Sequence, residues 1–260
     1  MMYVILIATA FVTSIISAIL GMAGGVMLLA VMLTFLSHSE AIPTHAAVQI
    51  ASNGTRAAAF FGNVDRGAFA RFLVGVIPGG AVGLWLLWAL GEPGDSEPYL
   101  KSLVGGYILL ATWMPRKGAK DPGEKGPSRG TAYDFPVIGL LAGTAALTVG
   151  AVGPLIAPVF ARHDFVKERL IATKAVCQLT THVMKIPAFV LLRDLEVGRL
   201  GLLAVAMMAV VIPGTLVGKR LLVGVTDNAF RIAFRCALTL AGAKVLIADG
   251  LWPLVFAGGG

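Results

Sequence analysis

The sequence predicts an all-α polytopic membrane protein built as two similar halves of four apolar blocks each, and three observations carry that prediction. The chain of 260 residues is 57% hydrophobic and only 13% charged, with a mean hydropathy of +0.84. A soluble domain carries about a quarter charged residues, so this chain has too little polar surface to cover itself in water. Its apolar residues gather into blocks of membrane length, since a hydrocarbon core about 30 Å thick takes roughly 20 residues of helix. Two blocks carry the same polar stripe: His45, Gln49, Asn53 and Arg56 in one, Lys174, Gln178, His182 and Lys185 in the other. Each member of the second stripe lies 129 positions after its counterpart, and the common spacing of four, four and three places each set on one helical face.

The blocks fall near 2–36, 44–63, 68–90, 98–114, 135–161, 170–192, 198–222 and 229–249. The first is too long for one crossing. Its opening, MMYVILIATAF, lacks a basic segment and runs on without a cleavage pattern, so it reads as a membrane helix and not as a signal peptide. It is interrupted by GMAGG at 21–25, and the fifth block is interrupted by GAVGP at 150–154. Glycine frees the backbone and proline removes a donor. Each of these blocks therefore reads as two helical pieces joined at a break, shaped by Gly21, Gly24 and Gly25 in one and by Gly150 and Gly153 in the other. Irregular backbone at membrane depth is tolerated only where protein or a water-filled cavity satisfies it. Further along, Gly75, Gly79 and Gly83, and again Gly214 and Gly218, form small-residue faces of the kind that let helices approach closely. Cys177 and Cys236 both lie in apolar blocks, too few for a disulfide framework, and Cys177 reads as packing.

One long polar stretch divides the chain. The expected layout is a first membrane repeat over 1–114, a linker over 115–134, a second repeat over 135–250 and a tail over 251–260. The linker carries Arg116, Lys117, Lys120, Lys125 and Arg129 and is expected in the cytoplasm. On that basis the acidic segment GEPGDSEP at 91–98 lies outside, Asp65, Arg66 and Arg71 inside, and the 37–43 loop outside. If block 135–161 is a hairpin, the basic clusters at Arg162, Lys167 and Arg169 and at Lys219, Arg220 and Arg231 also lie inside. Arg193 and Arg199 run against this assignment. The halves then have opposite orientation with about five helical pieces each, an inverted repeat, which places a site near the bilayer midplane. The net charge of +7 is read as membrane topology and not as a nucleic-acid footprint.

Charge inside an apolar block is costly and marks function or a partner. Arg56 and Lys185 lie well inside theirs, and the nearest acids, Glu40, Asp65, Glu168 and Asp194, are expected in loops. A bound anion is the simplest compensation. Gln49, Asn53, Arg56, Gln178, His182 and Lys185 are the expected binding residues, with amides to orient and a guanidinium to grip an oxyanion in bidentate fashion. Lys174, nearer its block end, is expected to snorkel, and Lys244 to lie at the interface. His45 and His182 are candidates for proton coupling. No buried carboxylate pair, metal-protease motif, nucleophile elbow or P-loop is present. The expectation is therefore no enzyme, no cofactor and no metal.

These residues resemble the TauE/SafE family of membrane anion permeases, the sulfite exporters. The likeness runs over nearly the whole chain through LGMAGGVMLLAVML at 20–33, AAVQIASNGTRA at 46–57, VGAVGPLIAP at 149–158 and AVCQLTTHVMKIPAF at 175–189. Met22 and Ala23 stand between the first glycines, and Pro154 stands where another glycine is common in the family pattern. The resemblance implies a secondary transporter in the bacterial inner membrane. It would export sulfite or a C2 organosulfonate such as sulfoacetate by alternating access, with the small anion and the lipid bilayer as partners, no nucleic acid, and homo-oligomerisation left open. The rival readings are a membrane-embedded assembly or support subunit with the stripes as interhelical glue, and an anion channel.

Overall fold

The computed structural model describes residues 1–20, 23–91, 93–113, 130–163, 165, 167–192, 197–221, 235, 236 and 238–256. Gly21, most of the 115–134 linker, Arg231, and the ends of the expected tail and of the eighth block lie outside the described residues. What is described is helical. In chain order the helices are α1 (Met2–Leu20), α2 (Ala23–Met32), α3 (His38–Ala59), α4 (Arg66–Ala89), α5 (Pro93–Trp113), α6 (Asp134–Thr148), α7 (Gly153–Arg162), α8 (Lys167–Val183), α9 (Lys185–Leu192), α10 (Val197–Leu221) and α11 (Leu238–Phe256). Of the described helices, α4, Leu200–Gly218 within α10, and α11 are long and apolar enough to cross a membrane.

Of the two expected breaks, the one at 150–152 is described, while the other falls on Gly21 and Met22, outside the described residues, and α2 beyond it folds back so that Gly24 packs on Thr13 and Ser17 of α1. The first block splits into α1 and α2, the fifth into α6 and α7. At the second break, the Gly150 amide donates to Ala145 O at 2.9 Å. Gly150 has a φ of 87°, a left-handed conformation that glycine takes without Cβ strain. Pro154 then sits at the start of α7, where its missing N–H has no helical partner to lose.

Several boundaries depart from the hydropathy reading. Helix α3 begins at His38, not near 44, because Ser37 and Glu40 form a capping box: the Glu40 amide donates to Ser37 Oγ and the Ser37 amide to Glu40 Oε2 at 3.0 Å. Glu40 is thus in a helix and not in a loop. The acidic 91–98 segment is mostly the first turn of α5, with Asp95 near the positive end of the helix dipole and Glu97 paired to Lys101 at 2.9 Å. The sixth block is broken at Met184, since Pro187 has no amide hydrogen to give to the carbonyl four residues back. The expected tail is helical as far as Phe256, where α11 ends.

Helix α1 runs along α10, α4 along α6, α3 along α8, and α5 along α11, with α2 meeting α7. A shift of 129 carries α2 onto α7 and α3 onto α8 with the start of α9. The α4–α6 contact is backbone on backbone. A Cβ at Gly75 or Gly79 would collide with the carbonyls of Pro136 or Leu140, and one at Gly139 or Gly143 with those of Phe72 or Val76. Thr144 Oγ1 donates to Gly79 O at 3.0 Å across the same seam. A Cβ at Gly214 would collide with the Ser14 hydroxyl and the Phe11 carbonyl of α1. Large apolar side chains on the outer faces of α4, α10 and α11, among them Ile77, Leu202 and Leu240, are exposed, as are all four tryptophans, Trp85, Trp88, Trp113 and Trp252. Such a surface suits lipid, with indoles enriched at the headgroup level.

Candidate functional site

Helices α3 and α8 pack together and bring the two stripes face to face. His45, Gln49 and Arg56 from α3 and Gln178 and His182 from α8 line one polar cavity. Its remaining walls are Ser17 of α1, Gly25 and Val26 of α2, and residues 151–154 at the start of α7. Both glycine breaks therefore open onto the same space as both stripes. The starts of two half-helices face it, and helix N-termini carry partial positive charge and free amide donors. None of the lining residues is acidic.

The hydrogen bonds fix donor roles. His45 Nε2 is 2.9 Å from Gly25 O, so that nitrogen carries the proton and donates. His45 Nδ1 is then an acceptor, buried and without a partner. The Gln49 amide nitrogen lies 3.3 Å from the same Nε2. Two donors facing one another are unfavourable, so the amide is better satisfied with its oxygen toward His45 and its NH2 toward the cavity. On the facing helix, Lys185 Nζ donates to Gly150 O at 2.5 Å and to His182 Nδ1 at 3.0 Å. His182 accepts at Nδ1, so its neutral ring carries hydrogen at Nε2 as a donor. The two imidazoles meet edge to face with centroids 5.6 Å apart.

Not every expected residue reaches the cavity. Lys185 is fully buried behind His182 and orients it instead of lining the space. Asn53 is 1% exposed, with both amide atoms lacking hydrogen-bond partners, and it is not a wall of the cavity. Lys174 is buried inside the protein, 7% exposed. Gly153 and Gly25 are walls, whereas Gly24 packs on Thr13 and Ser17 of α1. Lys244 pairs with Asp249, at 2.8 Å to Oδ2, on α11.

Three residues passed over in the sequence have roles here. Ser52 O accepts from Arg56 Nε at 3.2 Å and Ser52 Oγ from Arg56 Nη2 at 2.8 Å, steering the guanidinium along the wall. The distance of four residues between them was the available signal. His38 is buried with Nε2 2.7 Å from Thr148 O, anchoring the end of α6 just before the break. Ser17 lines the cavity from α1 with no motif to mark it. Among the described residues no acidic side chain pairs with Arg56, Lys174 or Lys185, and no cluster fit to hold a metal is found.

The cavity's free volume is about 20 Å3, room for one water-sized guest. Chemically, the arrangement offers a guanidinium, an imidazole N–H, two amides and two helix starts to negative charge.

A family profile described as Sulfite exporter TauE/SafE matches residues 6–245 of the chain. No curated protein and no solved structure matches it.

Proposed function

We propose, from the premise that this chain belongs to the TauE/SafE sulfite exporter family and is a multi-pass membrane transporter and not an enzyme, that it exports a small sulfur-containing oxyanion by alternating access. The substrate class is sulfite or a C2 organosulfonate such as sulfoacetate. One observation carries the reading: a single cavity is walled by both polar stripes and both helix breaks, holds Arg56, and has no acid among its walls. Arg56, Gln49, Gln178 and His182 bind the anion, and Lys185 holds His182 in the donating tautomer. The starts of α2 and α7 add backbone donors, as anion sites at helix N-termini do.

The halves are inverted repeats. Reciprocal packing supports a two-fold relation between them, since α1 with α10 and α4 with α6 exchange under the repeat while α3 with α8 and α5 with α11 map onto themselves, and the placement of basic loop clusters on one side favours inversion. Rocking of one repeat against the other then exposes the midplane site to each side in turn. His45 and His182, in edge-to-face contact at the cavity, are the groups placed to couple a proton to the anion. The membrane is the bacterial inner membrane, where exported anions meet a proton gradient.

The test is flux. Purified protein in liposomes is expected to move labelled sulfite or sulfoacetate with saturation, and Arg56→Ala to lose that flux while keeping a cooperative melt. Flux that persists in Arg56→Ala would sink the reading and favour stripes that merely hold helices together. Current linear in voltage without saturation would instead identify a channel.

A further inference from the structure

The cavity has a neighbour. A second compartment of about 10 Å3 lies between α1, α2, α3 and α10, walled in part by the hydroxyl side chains Thr13, Ser14, Ser17 and Ser52. Ser17, Gly25 and Gln49 are walls of both spaces. No charged residue lines the second one.

We infer that Gln49 is a movable partition, and that the hydroxyl compartment behind it is a second, weaker station on the path of the transported oxyanion. The inference rests on the transport reading above and adds where the anion goes next. Four features support it. Gln49 stands between the two spaces, a wall of the first cavity with free space on its far side. Gly25 leaves the amide its place between the spaces: a Cβ there would sit 2.5 Å from the Gln49 amide and displace it. Arg56 faces the first cavity, yet it is bonded to Ser52, whose side borders the second, so its charge reaches along the wall between them.

The fourth feature is the chemistry of the compartment. Thr13 Oγ1 donates to Thr9 O at 2.7 Å and Ser14 Oγ to Phe11 O at 2.7 Å. A side-chain rotation lets either hydroxyl donate to a passing oxyanion instead, and the local carbonyl keeps its helical bond. Neutral hydroxyls hold an oxyanion less tightly than a guanidinium does. Passage requires stations that are favourable to enter and weak enough to leave. With Arg56 bonded to its Ser52 wall and no carboxylate among its lining residues, the compartment suits an anion better than a cation.

The test separates binding from flux in the full-length protein. Thr13→Val and Ser14→Ala, made singly and together, remove hydroxyls at nearly constant volume. Sulfite is expected to raise the melting temperature of the double variant as it does the parent's, while flux of labelled sulfite into liposomes is lost. Thr13→Ser, which keeps the hydroxyl, is expected to retain flux. Unchanged flux in the double variant and in both singles would overturn the second station. So would joint loss of sulfite stabilisation and flux, which would make these hydroxyls part of the first site, and so would loss of flux in Thr13→Ser. A parent protein that sulfite neither stabilises nor crosses would fail the transport reading itself, a distinguishable result.

Discussion

Lys185 shows why a residue's place in the sequence and its role in the site differ. It is an apolar-block lysine at the right spacing, yet the structure sets it behind His182, giving its protons to Gly150 O and His182 Nδ1. Replacing it by methionine leaves two buried acceptors short of a donor, at about 1–3 kcal/mol for each unpaired group. Lys185→Met is therefore expected to lower the melting temperature and weaken anion binding together, whereas Lys185→Gln, which can still donate, is expected to recover part of both. Arg56 behaves differently because its guanidinium lines the cavity. A hydrogen bond to a charged group contributes about 1.5–3 kcal/mol, so Arg56→Ala is expected to weaken sulfite binding about 10- to 100-fold, read by titration calorimetry, with little change in the melt of the anion-free protein. Four of the six expected binding residues were legible as cavity walls from spacing alone, since helical pitch fixes a face. Asn53 and Lys185 share that spacing and still miss the cavity. Which part of a face borders a void depends on the partner helix, and Lys185 also follows a break at Met184.

The helix breaks and the glycine seams belong to the next scale. A methyl at Gly25 has no room while Gln49 stays in place. Gly25→Ala is expected to fold and to bind sulfite more weakly, because the methyl pushes the Gln49 amide off its place in the cavity wall. On α4, by contrast, the obstacle is the backbone of α6, which cannot step aside. Gly79→Leu is expected to abolish the monodisperse peak in size-exclusion chromatography and the cooperative melt. The joint between α4 and α8 carries a pH signature. Asp65 caps α4 through the Ala68 amide at 3.0 Å and pairs with Arg169 of α8 at 2.5 Å. Partial burial pulls its carboxyl up, but the Ala68 amide and the Arg169 guanidinium outweigh that and hold it below its ordinary value. A depressed carboxyl stabilises the fold above the unfolded value and loses that contribution as pH falls through the folded one. Asp65→Asn is thus expected to melt below the parent at pH 7 and to converge with it under acid conditions below the carboxylate range. The breaks themselves were readable from GMAGG and GAVGP, because glycine and proline act locally. The break at Met184 was readable in principle from Pro187, and the early start of α3 from the Ser37–Glu40 pair.

At the scale of the whole molecule, the paired packing of α1 with α10 and α4 with α6 makes each half complete only against the other. If the repeats are inverted, reporters fused at Met1 and inserted in the 115–134 segment are expected on opposite sides of the membrane, with the latter in the cytoplasm. Reporters on the same side would rule out inversion. Composition, block length and the recurring offset of 129 by themselves determined a helical membrane protein with a duplicated polar stripe, because hydropathy and helical period are properties of the local chain. Only the tertiary structure decided that the two stripes share one cavity with both breaks, that Lys185 stands behind His182, and that a second hydroxyl-lined space lies past Gln49. Those facts depend on which helices meet and how closely their backbones approach, and no single segment holds that information.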